Sequence, residues 1–131
     1  QSTVISIGSD YLMGTRFVEL VEEFEKDNET EGIAIFGEIG GTAEEDLANY
    51  LLTRSKDGNP FPKPIVAFIS GKFASNFRNI SLGHAGAIIE GSKGTRENKV
   101  KILKEAGVIV ADVHHNLGNL MNKALQKNNG I

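Results

Sequence analysis

The chemistry available to this chain gathers in two glycine-lined stretches, "GEIGG" at residues 37–41 and "SLGHAGAIIEGSKGT" at residues 81–95. The second sets His84 among Gly83, Ala85 and Gly86, with no acid, base or ligand directly beside it. An imidazole left bare in this way either sits incidentally in a tight turn or is kept clear so that a bulky group can reach it. The first stretch sets Glu38 among Gly37, Gly40 and Gly41, residues that let a backbone turn tightly and come close to a ligand. A carboxylate that accepts one ring N–H of a histidine fixes the tautomer and leaves the other nitrogen as a lone-pair nucleophile. Such a nucleophile can attack a phosphoryl group. Taken singly, each motif has a plainer use: a turn with a solvated glutamate, and a turn histidine bonded to backbone. The choice depends on whether the fold brings the two loops to one place.

Four short apolar runs are candidates for strands: "TVISI" at 3–7, "GIAIF" at 32–36, "PIVAFI" at 64–69 and "VIVADV" at 108–113. They are continuous rather than alternating, as expected of strands covered on both faces of a parallel sheet. Helical patterns lie between them. Thr15 is placed to cap a helix with Phe17, Val18, Val21 and Phe24 on one face. "TAEE" from Thr42 to Glu45 has the spacing of a capping box, and Leu47, Leu51 and Leu52 follow as a buried stripe. Thr95 opens a third helix with Val100, Leu103 and Ala106 inward and Gly107 as a left-handed stop. Leu117, Leu120, Met121, Ala124 and Leu125 mark a fourth. The polar residues 54–64 read as a surface excursion, and the last five residues as a frayed end.

Strand and helix in repetition imply right-handed crossovers and an open sheet with helices on both faces. The expected fold class is therefore α/β: a flavodoxin-like, doubly wound parallel sheet in three layers. In such folds ligands bind outside the carboxyl ends of the strands. The loops that follow Phe36 and Ile69 open on the same edge, which can bring Glu38 and His84 together. Gly40, Gly41 and Thr42 lead into a helix whose free N–H groups and dipole suit a phosphate, and Gly83, Ala85 and Gly86 are its expected neighbours on the histidine loop.

The bulk numbers exclude several classes. A chain of 131 residues, 40% hydrophobic and 24% charged, has the size and composition of one ordinary globular domain. Its net charge is −3 and its Lys and Arg residues are scattered, so nothing marks a nucleic-acid surface. It has no cysteine, which removes disulfides and thiolate chemistry. No apolar run reaches the roughly 18 residues of a membrane span, and the first residues lack a signal-peptide pattern, so a soluble protein with no membrane partner is expected. No metal site is expected either: His114 and His115 have no acidic or Cys companion at ligand spacing and read as surface or capping residues. "GSKGT" at 91–95 lacks the full phosphate-loop spacing and reads as a turn that can lend Lys93 to an anion. The loop at 9–14 reads as a helix lead-in.

"GEIGGTAEED", "KPIVAFISG", "GHAGAIIEGSKGT" and "LKEAGVIV" together resemble the C-terminal ligase half of the α subunit of succinyl-CoA synthetase (succinate–CoA ligase), over residues 2–125. The resemblance implies that His84 is transiently phosphorylated and that Glu38 hydrogen-bonds its ring. It implies ATP or GTP, CoA and Mg²⁺, bound mainly outside this chain, and a small-molecule acid as substrate. It also implies an ATP-grasp β subunit as partner, a CoA-binding domain upstream, and a first βα unit of the ligase domain. With these absent, residues 1–131 read as one domain that is a fragment of a longer α subunit, inactive alone and with an exposed sheet edge. The location implied is the cytoplasm, or the mitochondrial matrix in a eukaryote. The segment before "GHAG" is longer than in succinate ligases, and ATP-citrate lyase and citryl-CoA synthetase share the glutamate and histidine motifs, so a citrate-activating relative is the alternative. A flavodoxin-like binding or receiver module is the non-catalytic alternative, weakened because Asp10 and Asp112 are not clustered as a receiver's acids are.

Overall fold

The computed structural model describes residues 1–8, 14–72 and 93–128. In chain order the elements are α1 (Phe17–Lys26), β1 (Ile33–Gly37), α2 (Ala43–Lys56), β2 (Ile65–Ile69), α3 (Arg96–Glu105), β3 (Ile109–Ala111), a 3₁₀ turn (His114–Asn116) and α4 (Leu117–Asn128). The sheet is parallel, in the order β1-β2-β3. Stepping in one direction with right-handed crossovers puts α2 and α3 side by side on one face. The two helices pack against each other. After β3 the chain crosses over, and α4 packs on the opposite face of β2. The architecture is α/β with an open parallel sheet, as the run of strands and helices required.

The core lies between the sheet and α1, α2 and α3. Ile33 and Ile35 of β1, Ile65, Ala67 and Ile69 of β2, Val21 of α1, Leu47, Ala48 and Leu51 of α2, and Leu103 of α3 form it. Thr95 caps α3 by accepting the Asn98 N–H at 3.2 Å, and Gly107 ends that segment with φ of +84°. Residues 54–64 are less free than a surface excursion. Arg54 makes a two-pronged ion pair with Glu25 of α1 at 2.5 and 2.8 Å, and its guanidinium lies over Tyr50 and Phe61. Lys63 donates to the carbonyls of Phe24 and Asp27, each at 2.6 Å. Among the described residues no helix is long and apolar enough to cross a membrane.

Four local expectations are corrected. Residues 3–7 form no strand, and Val4 and Ile5 are exposed. An apolar, β-branched run becomes a strand only where a neighbour supplies ladder bonds and packing, and none of the described strands pairs with this one. β1 is accordingly an edge strand among the described residues. Its Ala34 and Phe36 are exposed while Ile33 and Ile35 are buried, so the run is half-covered rather than covered on both faces. α1 starts one residue later than Thr15 suggests. Arg16 occupies the cap position, and its N–H donates to Glu19 Oε2 at 2.8 Å. The fourth correction, the Thr42–Glu45 capping box, belongs with the site.

Candidate functional site

Parallel pairing sets Gly37 opposite Ile69, so the loops that follow β1 and β2 leave the sheet at the same level and on the same edge. Glu38 opens the first loop. Ile39 and Gly40 beside it are buried, and Glu38 itself is exposed. Gly40 and Gly41 have φ of +88° and +58°, the left-handed region where a side chain is strained, which is why the turn needs both glycines. Ile39 anchors the loop from below. It packs so tightly against Gly71 that a Cβ there would lie 2.6 Å from Ile39 Cγ2.

The loop is stitched to the start of α3. Gly40 N–H donates to the carbonyl of Gly94 at 2.8 Å. Glu45 Oε1 accepts from Gly94 N–H at 2.9 Å and from the Asn98 amide at 3.3 Å. This is why the capping box does not form. Glu45 is turned inward to a buried backbone donor, Thr42 makes no side-chain cap bond, and its hydroxyl instead donates to Asp46. A buried N–H without an acceptor costs more than a helix cap contributes, so the tertiary partner takes the carboxylate. Arg96, the first residue of α3, donates from Nε to the carbonyl of Ile69 at 2.9 Å, closing the end of β2 onto the same helix.

Beneath the loop lies a fully buried lysine. Lys99 is 1% exposed, and its Nζ donates to the carbonyls of Glu38 and Gly40 at 2.9 and 2.5 Å and to Glu44 Oε2 at 2.5 Å. The other oxygen of Glu44 accepts the N–H of Glu38 at 3.3 Å. Burial pushes the Glu44 carboxyl above its ordinary range, and the attraction of Lys99 only partly opposes this. Gly37 makes room for that carboxylate: a Cβ there would run into Glu44 Oε1 and lie 2.8 Å from Ile69 Cδ1.

Glu38, Gly40, Gly41 and Thr42 therefore sit together at the carboxyl end of β1, with Gly40's N–H already engaged by Gly94. His84, Gly83, Ala85 and Gly86, and with them the expected contact between Glu38 and His84, lie outside the described residues, as does Asp10. Lys93 is exposed at the entry to α3. His114 and His115 are exposed in the 3₁₀ turn after β3, with the His114 ring edge-on to Phe68 at 5.9 Å. Sequence reasoning missed Lys99, Glu44 and Glu45. A signal was present: Lys99 lies four residues before Leu103, and Glu44 three before Leu47, so each falls on the buried stripe of its own helix.

The sequence profile of the CoA-ligase family matches residues 1–109. The chain belongs to the CoA-ligase family. It is 47% identical over 112 residues to the succinate–CoA ligase (ADP-forming) subunit alpha 1 of Archaeoglobus fulgidus, covering 86% of this chain and 35% of that protein. It is 42% identical over 120 residues to a subunit of an ADP-forming sulfoacetate–CoA ligase from an Acholeplasma species, covering 92% and 38%. Among solved structures it resembles ATP citrate lyase of Methanosaeta concilii in complex with (3S)-citryl-CoA. That likeness has a TM-score of 0.78 at 25% identity and covers 92% of this chain and 19% of the other. This CoA-ligase domain thus spans well under half the length of the relatives it matches.

Proposed function

We propose that this domain is the phosphohistidine-bearing ligase domain of an acid–CoA ligase. In this reading a ring nitrogen of His84 attacks a phosphoryl group, the bond from phosphorus to the leaving oxygen breaks, and the bonding pair leaves with that oxygen. Glu38 accepts the other ring N–H and keeps the attacking nitrogen unprotonated. The observation that carries the reading is the loop at 38–42, held by buried bonds at the edge where β2, the strand that precedes the "GHAG" segment in sequence, also ends. Gly41, Thr42 and the small residues Gly83, Ala85 and Gly86 would line the phosphate's path. Phosphate passes between a nucleoside triphosphate, with Mg²⁺, and an acyl phosphate, and the acyl group passes to CoA. An ATP-grasp β subunit and a CoA-binding domain of the same α subunit hold those molecules.

Succinate is the acid favoured, since relatives named succinate–CoA ligase align over 86% to 97% of this chain. The likeness to ATP citrate lyase supports citrate as the second reading. ADP release by the assembled enzyme with succinate, and separately with citrate, decides between them. The phosphoryl step is tested by incubating the α/β complex with γ-labelled nucleotide. Acid-labile, base-stable label is expected on the α chain, absent in His84→Asn and slowed in Glu38→Gln with folding intact. Label retained in His84→Asn would place the phosphoryl group elsewhere.

A further inference from the structure

A helix can pack on a sheet with Leu or Met at a fully buried position, so an ammonium in place of either demands a reason. Taking a charge out of water costs several kcal/mol unless it is paired and its hydrogens are all used. At Lys99 they are all used. The acceptors are the Glu44 carboxylate and the carbonyls on either side of Ile39, those of Glu38 and Gly40. The same carboxylate accepts the Glu38 N–H. Both polar groups of the Glu38 backbone therefore end on one buried ion pair, the N–H on Glu44 and the C=O on Lys99. A peptide held at both ends has its φ and ψ fixed, and with them the direction of its Cα–Cβ bond. The glycines at 40 and 41, which have no side chain to restrict the backbone, supply no such constraint themselves.

We propose that Lys99 is a positioning residue for phosphoryl transfer, which acts by aiming the Glu38 side chain through the backbone on either side of it. The inference rests on the roles of Glu38 and His84 proposed above. Glu44 is its counter-charge, and Gly37 is small so that Glu44 fits beneath the strand end. Lys99 touches no reacting atom. Its loss should lower the rate of histidine phosphorylation at saturating nucleotide and leave nucleotide affinity unchanged.

The test uses the assembled α/β enzyme. Removing Lys99 alone strands a buried carboxylate, so the informative variant is Lys99→Met with Glu44→Gln, which removes both charges and keeps an oxygen to accept the Glu38 N–H. A displacement of the order of 1 Å at a reacting group costs about 100-fold in rate, and a loss of that size in the phosphorylation rate constant is expected at unchanged nucleotide binding. Lys99→Arg, which keeps a charged donor, should restore part of it. The cycle with Glu38→Gln supplies the sharper reading. If Lys99 acts through Glu38, adding the neutral pair to Glu38→Gln slows the reaction by less than about threefold further, because coupled residues are not additive.

A neutral double variant that melts like the wild type and phosphorylates at the wild-type rate would overturn the inference. So would a full additional loss on top of Glu38→Gln. A double variant that does not assemble would assign Lys99 to the fold and overturn it equally. A wild-type complex that takes no label on His84 would instead remove the reading on which the inference rests.

Discussion

Lys99→Met by itself should destabilise the protein strongly, and more at neutral than at acidic pH. The substitution preserves most of the side chain's length but leaves the Glu38 and Gly40 carbonyls and one Glu44 oxygen without their donor. Each buried acceptor left unpaired costs about 1–3 kcal/mol. The three share one environment and are not additive, so the measured cost of breaking a buried pair, about 3–5 kcal/mol, is the better expectation. Glu44 then decides the pH dependence. Burial already holds its carboxyl above 4.5, and removing Lys99 removes the attraction that opposes this. A carboxyl whose folded pKa exceeds its unfolded value binds a proton more readily when folded. The stability it contributes is therefore fully present below 4.5 and is lost as pH rises through the raised value. Between those limits the variant should recover about 1.4 kcal/mol for each unit that the pH is lowered. Urea unfolding followed by far-ultraviolet circular dichroism at about pH 5 and about pH 7.5 measures the difference. Equal destabilisation at both values, or a loss below about 1 kcal/mol at the higher one, would refute the account of Glu44 as a buried charge that depends on Lys99.

Glu25→Gln should also cost most at neutral pH, but for the opposite reason, because the carboxyl it removes has a lowered rather than a raised pKa. Its hydrogen bonds to Arg54 hold the Glu25 carboxyl below 4.5, so its contribution, about 1–2 kcal/mol for a half-buried two-pronged pair, is present above 4.5 and lost as pH falls through the lowered value. Wild type and variant should converge in acid, as followed by urea midpoints across that range. Gly37→Ala should cost about 1–3 kcal/mol, because the new methyl must displace the Glu44 carboxylate and Ile69 Cδ1. It should also slow histidine phosphorylation more than a core substitution of equal thermal cost, which paired melting and labelling measurements would show.

Much of the fold is legible in the linear sequence because its signals are local and repeated. The stripe of Leu47 and Leu51 and the left-handed stop at Gly107 each follow from side chains a few residues apart. So does the β2 run at Ile65–Ile69, whose neighbours on both sides leave it buried as its composition demands. The edge carrying Glu38 was legible too, since a parallel sheet sends every strand's carboxyl end the same way. What failed were elements whose outcome depends on a distant partner. Residues 3–7 have the composition of a strand, but strand formation is decided by pairing, and β1 does not take them. "TAEE" is a correct local recipe for a cap, yet Glu45 goes to the Gly94 N–H because an unpaired donor in the interior outweighs a cap at the surface.

Lys99 is the plainest case. In a run of charged residues an ammonium reads as solvated; its place on the stripe of Leu103 speaks against that, and the packing of α3 against α2 beneath the 38–42 turn fixes it as a buried cation. The sequence by itself determined the residue types, the helical stripes and the common edge of the two loops. The tertiary structure alone decided which charges were buried, because burial of a charge is stable only where partners from separate segments meet, here Glu44 and the carbonyls of Glu38 and Gly40, 55 to 61 residues from Lys99.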